Sequence, residues 1–384
     1  MKEISIIIPA YKAEKTIKRT IESIAVQTII EKIEIIVSSD DPKGKYGFLR
    51  KSFPELDIKI LKTKKNVGSG LARQKGLDKA TGKWVMFVDA DDILASSFSV
   101  EALYYDIRED TVGVQGYFEE VVKVDGKYNF IKEMNIDNAW LFSRLYNIDF
   151  LREHNIRFSE LRAVEDGEFN WKFVFCVNKY HKQIKLIEDV CYYWTQASEE
   201  SITRIGTKDN IPQYTYDFCR LGYVLATSRY INFITERKAD RKDIVYVIAK
   251  CFISNYFYYI SSRIFRNEFS EQMLWVSQYF YHNFYKAVMN EISPEAFEEM
   301  YEFIKENIDI PFTDEEIKKI PFDKWLNLIQ TMPYSVYGID RIREKLDKDV
   351  LANDKKYFPE KLSELFIYVN TQCKDNLERF NHFK

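Results

Sequence analysis

Two hydrophobic periodicities alternate along the first hundred residues, and this alternation restricts the fold more than any other feature of the chain. The run "ISIIIPAY" is continuously apolar and is stopped by Pro9, as expected of a buried strand. "AEKTIKRTIESIAVQT" then spaces Ile17, Ile21 and Ile24 on one helical stripe. "KIEIIVSSDD" and "DIKILKT" read as further strands. "LARQKGLDKA" places the small residues Ala72, Gly76 and Ala80 along one helix face, and "KWVMFVDADD" returns to strand. Strand–helix–strand order requires crossover connections, so the expected fold is α/β, a mostly parallel sheet flanked by helices. In such sheets, ligands gather beyond the carboxyl ends of the strands.

Those ends carry a consistent chemistry. The first supplies Pro9 and Tyr11, the second Asp40 and Asp41, the third leads to Asn66 and Gly68, and the fourth delivers Asp89, Asp91 and Asp92. Turns favour Asp, Asn, Gly and Pro for conformational reasons alone, which accounts for Asp41, Pro42 and Gly44. It accounts poorly for three acids at the edge of a core, where an unpartnered carboxylate is costly. On a continuing strand, Asp89 and Asp91 would face one side and converge. Hard carboxylate oxygens suit Mg²⁺ or Mn²⁺, whose shells are completed by water and substrate phosphates, so a metal–diphosphate is one expected partner. The alternative is that these acids cap the next helix or pair with a nearby Lys or Arg.

Beyond residue 100 the pattern loosens. "GVQGYFEEVVKVDGKYNFIKEM" alternates around "DGK" and reads as a hairpin. "AWLFSRLYNIDFLREHNIRF", "VEDGEFNWKFVFCVNKY" and "IKLIEDVCYYWTQ" read as a short element, a helix and a strand. After "RIGTKDNIPQY" helical periodicity takes over, with Phe and Tyr concentrated in "NYFYYISSRIFR" and "SQYFYHNFYKAV". Ser293 before Pro294 and Thr313 with Glu316 mark helix starts. A catalytic domain over 1–207 and an all-helical domain over 208–384 are therefore expected. Aromatic residues at helical spacing normally form core, although they can also make a carbohydrate platform or a membrane-facing surface.

Composition narrows the partners. With 56 basic and 59 acidic residues the formal charge is only −3, which offers no general attraction for nucleic acid or anionic lipid. Five widely spaced cysteines, none in a CxxC pair, argue against a disulfide framework or a zinc site and fit a reducing cytosol. No signal-peptide pattern precedes the first strand, and no apolar run approaches the ~18 residues of a bilayer span. A cytoplasmic chain, or at most one peripheral at the membrane, is expected.

Taken together, "IIIPAYKAEKTIKRTIESIAVQT", "EIIVSSDD", "NVGSGLARQKGLDKATGKWVMFVDADD" and "VEDGEFNWKF" resemble the family 2 glycosyltransferases of GT-A fold, over residues 3 to 204. The resemblance implies an inverting, metal-dependent enzyme that uses a nucleotide-sugar. Carried over position by position, it implies that Pro9 and Tyr11 wall the nucleobase and that Asp40 accepts a hydrogen bond from it. A carboxylate can accept from uracil N3–H but not from cytosine N3, which favours a UDP-sugar without excluding dTDP. Asn66 and Arg73 would lie beside the nucleotide, Asp89 would face the ribose and donor, Asp91 would ligate the metal, and Asp166 would act as base on the acceptor hydroxyl. For Arg73 the plainer alternative is a surface salt bridge. For Asp166 it is a helix N-cap, and the helix dipole should keep the carboxylate ionised at neutral pH.

Ser39, Asp41, Pro42, Lys12 and Gln74 depart from the family pattern, and base selectivity is the inference they weaken most. In "YYWTQASEESIT", which resembles the segment closing over the donor phosphates, Gln196, Ser201 and Thr203 are the polar groups available. The acceptor hydroxyl belongs on this reading to a cell-surface glycan or polymer. A protein side chain and a modified DNA base are alternatives, the last disfavoured by the near-neutral composition, because phosphate contacts normally demand clustered Lys and Arg. A sugar-nucleotide-binding module without turnover is the non-enzymatic alternative.

Overall fold

The computed structural model describes residues 2–124, 127–133, 140–161, 163–195, 213–265, 267–308 and 312–332. The chain divides into two compact units, Met1–Ile205 and Gly206–Lys384.

In the first unit, strands β1 (Ile4–Ala10), β2 (Ile33–Ser39), β3 (Ile58–Lys62) and β4 (Trp84–Phe87) are mutually parallel in the spatial order β3-β2-β1-β4. Helices α1 (Ile17–Ala25), α2 (Phe48–Ser52) and α3 (Ser69–Leu77) provide the crossovers. The sheet continues through β8 (Arg144–Asn147), β6 (Thr111–Val124), β9 (Gln183–Thr195) and β5 (Ile93–Leu94), with β7 (Lys127–Glu133) paired to β6. It is thus a mixed sheet, antiparallel at β4–β8, β8–β6, β5–β9 and β6–β7. Helices α4 (Ser99–Tyr105), α5 (Ile148–Glu153) and α6 (Glu165–Lys179) complete the unit. The β6–β7 hairpin forms where "DGK" signalled it, in register from Val124 with Lys127; Asp125 and Gly126 lie outside the described residues.

The continuous apolar runs became strands because both sheet faces are covered. Ile4, Ile6 and Ile8 join Ile17, Ile21 and Ile24 of α1 in one core, while Ile7 on the other face meets α3. At Gly76 an added Cβ would lie 2.5 Å from Ile7, so only glycine lets α3 approach the sheet this closely. Helix α3 ends at Leu77, before Ala80, so the small-residue face is shorter than the sequence suggested.

The second unit, as described, is helical: α7 (Gln213–Glu236), α8 (Arg241–Phe265), α9 (Asn267–Phe280), a π-helical turn (Tyr281–Tyr285), α10 (Lys286–Val288), α11 (Pro294–Asn307), α12 (Asp314–Lys319) and α13 (Phe322–Thr331). Ser293 and Thr313 cap α11 and α12, accepting from the N–H groups of Ala296 and Glu316 at 3.2 Å each. Most of the described aromatic residues in the two aromatic runs are core, whereas Tyr246 and Phe303 elsewhere in the unit are exposed. Phe252 stacks on Tyr285 at 4.0 Å, packs against Trp325 at 5.0 Å, and all three are buried, as are Tyr256 and Phe257. Contrary to the sequence expectation, one stretch, Arg241–Arg263, has the length and mean hydropathy of a membrane span; 78% of it is buried inside the structure, as in a core helix.

Candidate active site

The site is assembled where the turns after β1, β2, β3 and β4 lie at the carboxyl ends of the parallel strands. Strand β4 stops at Phe87, and the acids that follow lie in a turn closed by the Asp92 N–H on the Asp89 carbonyl at 3.1 Å. Strand alternation therefore does not set the directions of Asp89 and Asp91. Tertiary contacts do. The Tyr192 hydroxyl accepts the Asp89 N–H at 3.1 Å and donates to Asp92 Oδ2 at 2.7 Å. The Thr195 N–H donates to Asp92 Oδ1 at 2.7 Å, and its hydroxyl donates to the Asp91 carbonyl. Arg19 of α1 reaches the same carbonyl at 2.7 Å. The end of β9 thereby clamps the turn, leaving the half-buried Asp89 and Asp91 at the rim and Asp92 beneath them. Burial, with the charges of Asp91 and Asp89, raises Asp92 well above the usual carboxylate range.

Arg73 joins two motifs far apart in sequence. Its guanidinium pairs with Asp89 at 2.7 Å and with Glu165 at 3.0 Å. It is 6% exposed, so the surface-pair alternative does not describe it. Burial opposes its charge, but Asp89, Glu165 and Asp166 outweigh that and raise its pKa above the ordinary value. Its Nε makes no hydrogen bond within the protein. Ser69 at the start of α3 also donates to Glu165. Gly70 permits this closeness, since a Cβ there would lie 2.7 Å from Glu165 Cγ and 2.9 Å from the Ser159 carbonyl.

Asp166 follows Glu165 in the first turn of α6, which is entered through Val164 in the left-handed region at φ 63°. A β-branched residue rarely adopts that conformation, and the strain is held by surrounding packing. Phe169 stacks on Phe158 at 4.1 Å and Phe173 lies against Tyr146 at 4.9 Å, anchoring the helix as expected from "EFNWKF". Asp166 is pushed up to about 7, first by burial and then by the charge of Glu165; Arg73 and the Gly167 N–H only partly offset this. At that value the carboxylate is only partly ionised at neutral pH, less than the helix dipole alone led one to expect: here desolvation and a like charge exceed the helix terminus.

On the other side of the rim, Asp40 is 3% exposed and holds the loop leading into α3. It accepts the N–H groups of Val67 at 2.7 Å and Gly68 at 2.8 Å. Gly68, at φ 93°, takes a conformation that glycine alone adopts without strain. Asp40 thus fixes the loop bearing the half-buried Asn66, and any base N–H would share an acceptor already engaged. Pro9 and Tyr11 are half-buried at the end of β1, with the Lys12 ammonium 5.2 Å from the Tyr11 ring centre.

Residues 5–164 match the family model "Glycosyl transferase family 2". This region of the chain is similar to that family. Among its relatives, glycosyltransferase GlyA of Streptococcus pneumoniae is 29% identical over 230 residues, covering 54% of this chain and 32% of GlyA. The poly(ribitol-phosphate) β-N-acetylglucosaminyltransferase TarS of Staphylococcus aureus is 25% identical over 212 residues, covering 52% of this chain and 36% of TarS. The match thus spans about a third of each relative. A crystal structure of TarS residues 1–349 with UDP superposes with a TM-score of 0.53 at 17% identity, over 81% of this chain and 97% of that one, and shares its fold.

In this unit, the ends of β1 and β2, the β4 turn and the start of α6 all open onto the carboxyl edge, and Arg73 links the last two. Among the described residues no group of three or more His, Cys, Asp or Glu side chains forms a ready cation cage. What the turn offers is the incomplete, all-oxygen donor set that suits a cation sharing its shell with a diphosphate. Gln74, one of the departures, is structural: it accepts the Phe158 N–H at 2.9 Å and ties α3 to the segment before α6. Gln196, Ser201 and Thr203 lie outside the described residues. Sequence reasoning missed Glu165 as a partner of Arg73, and Arg19, Tyr192 and Thr195 as the clamp. The only signal for the clamp was an aromatic run at a strand end, which gives no hint of its partner turn.

Proposed function

We propose that the chain is an inverting glycosyltransferase that moves a sugar from a UDP-sugar to a hydroxyl on a cell-surface glycan or polymer, with Mn²⁺ or Mg²⁺ as cofactor. The observation that carries this reading is the Arg73 bridge, which joins the acid turn after β4 to the Glu165–Asp166 pair. Donor-side and acceptor-side chemistry must meet at one such rim for a sugar to pass between them.

Asp91 would hold the cation, which when bound supplies positive charge opposite a leaving diphosphate. Asp89, oriented by Arg73, would receive the donor's ribose and sugar hydroxyls. Pro9 and Tyr11 would flank the base, and Asp40 would act chiefly by fixing the Asn66–Gly68 loop. Asp166, pushed up to about 7, suits proton abstraction near neutrality, because a base works best with a pKa close to the operating pH. The proton would pass from the acceptor hydroxyl to an Asp166 oxygen as that hydroxyl attacks the anomeric carbon. A polymer acceptor is favoured by TarS, whose name specifies poly(ribitol-phosphate).

The test is release of UDP from UDP-glucose, UDP-galactose and UDP-N-acetylglucosamine with Mn²⁺, in the presence of cell-wall extract. Asp91→Ala should abolish turnover and weaken metal-dependent UDP binding. Asp166→Asn should abolish turnover and leave UDP binding intact. Unchanged turnover in both variants rejects the site.

A further inference from the structure

The rim of the first unit is divided by charge. The β4 turn carries acids, whereas the loops after β1, β2 and β3, at three adjacent strand ends, carry lysines. Lys12 and Lys15 follow β1, Lys43 and Lys45 follow β2, and Lys64 and Lys65 follow β3; all six are exposed. With Lys62 at the end of β3 there are seven lysines against three acids, Glu14, Asp40 and Asp41, in a chain whose formal charge is −3. Paired strands lie about 4.8 Å apart, so the strand ends that present these charges span only about 10 Å from β3 to β1.

The three acids serve the backbone. Glu14 accepts the Lys45 N–H at 3.2 Å, Asp41 the Lys43 N–H at 2.8 Å, and Asp40 the Val67 and Gly68 N–H groups. Among the described residues none of the six ammonium groups is ion-paired with a carboxylate, whereas Lys59, farther back on β3, pairs with Glu34. Further bonds tie the loops into one surface. The Tyr46 hydroxyl accepts the Ala13 N–H at 3.0 Å, and Lys62 Nζ donates to the Gly44 carbonyl at 3.2 Å. This lysine ridge is continuous with the reacting side: Lys64 and Lys65 lead through the Asn66–Gly68 loop to Ser69, which donates to Glu165, the residue before Asp166.

Like charges gathered on one edge repel, and an anion that covers them relieves the repulsion. A single diphosphate, matched by the cation expected at Asp91, does not account for charges spread over three loops. A chain of repeated anions does. The lysine ammonium is a compact point charge on a flexible stem, which suits successive phosphates along a mobile chain. A membrane-binding surface adds apolar side chains to its basic ones. None of the exposed large apolar residues among those described, such as Val26 and Phe98, lies on these loops.

Resting on the glycosyltransferase reading, we infer that the lysine ridge of the β1, β2 and β3 loops is the docking surface for the acceptor, an anionic polymer with phosphates along its backbone, which it leads toward Asp166.

Biolayer interferometry on the full chain tests this, with poly(glycerol phosphate) as probe, neutral dextran as control, and phosphatidylglycerol vesicles and duplex DNA as competing classes. UDP binding is measured on the same samples by calorimetry. The wild type should bind the polymer and not dextran, with an affinity that falls steeply as salt rises. Lys43→Ser with Lys45→Ser, and Lys64→Ser with Lys65→Ser, should each weaken polymer binding by about ten-fold and flatten its salt dependence, while UDP affinity stays within about two-fold. Arginine at the same four positions should retain binding. Where a serine pair also lowers the melting temperature, glutamine at those positions decides, and the same loss of polymer binding is expected. A wild type that binds no polymer or binds dextran equally, polymer binding that ignores the substitutions, or tighter lysine-dependent binding of vesicles or DNA overturns the proposal. Failure of the wild type to bind UDP rejects the donor-side reading and this inference with it; absence of polymer binding with UDP binding intact rejects the ridge alone.

Discussion

At the amino-terminal end of the parallel sheet, Glu34 is fully buried and accepts hydrogen bonds from Ser5, Lys59, Thr81 and Gly82, whereas at the carboxyl-terminal end Asp92 and Asp166 are crowded by other acids. Burial opposes ionisation of Glu34, yet its donors prevail and bring it down to about 2. For Asp166 burial and Glu165 prevail over Arg73 and the value rises to about 7. Desolvation acts in the same direction at both ends. What differs is the supply of donors: one end saturates its carboxylate and gains stability, and the other leaves a carboxylate poised to exchange a proton.

The largest expected effect breaks the poised end. Asp166→Asn keeps the shape and removes the base, and should lower turnover by about 10²–10⁴-fold at constant UDP affinity, read by steady-state kinetics and calorimetry. Next, Glu34→Ala should break the saturated end. It strands the buried Ser5 hydroxyl and Gly82 N–H and removes the partner of Lys59 and Thr81, so chemical denaturation should show a loss of about 2–4 kcal/mol, with little change in UDP affinity.

pH then separates the two ends. Glu34 is lowered from 4.5 to about 2, so its contribution to stability is complete above pH 4.5 and is lost as pH falls toward 2. Asp166 is raised from 3.8 to about 7, so its contribution is complete below pH 3.8 and is lost as pH rises through 7. Asp166→Asn should accordingly raise the melting temperature relative to the wild type at pH 8 and not at pH 4. In turnover, the acid limb of the wild-type pH profile should fall near 7, and Glu165→Gln should shift it lower by removing the neighbouring charge. The smallest effect is a control in water: the exposed Arg157–Asp78 pair, 3.0 Å apart, should contribute only ~0–1 kcal/mol in a double-mutant cycle.

Much of the fold was legible because its signals are local. The apolar runs of β1, β2 and β4 and the Ile17–Ile21–Ile24 stripe state their own periodicity, and the Ser293 and Thr313 caps need only a few residues of context. The strand-end residues were legible as a set because crossover topology sends every parallel strand to the same edge. The direction of Asp91 was not, because β4 ends two residues before Asp89 and the turn takes its shape from Tyr192 and Thr195, a hundred residues away. Nor was the protonation of Asp166. The helix-end argument considers α6 alone, whereas the actual balance includes Glu165, Arg73 and the water excluded around them.

The sequence by itself therefore determined the order of strands and helices and the presence of acids at their ends, since backbone periodicity and turn chemistry act over a few residues. Only the tertiary structure decided which charges meet, with Arg73 between Asp89 and Glu165, and how strongly each carboxylate holds its proton. Electrostatic and desolvation energies depend on distance and burial in space, and neither quantity exists until the chain has folded.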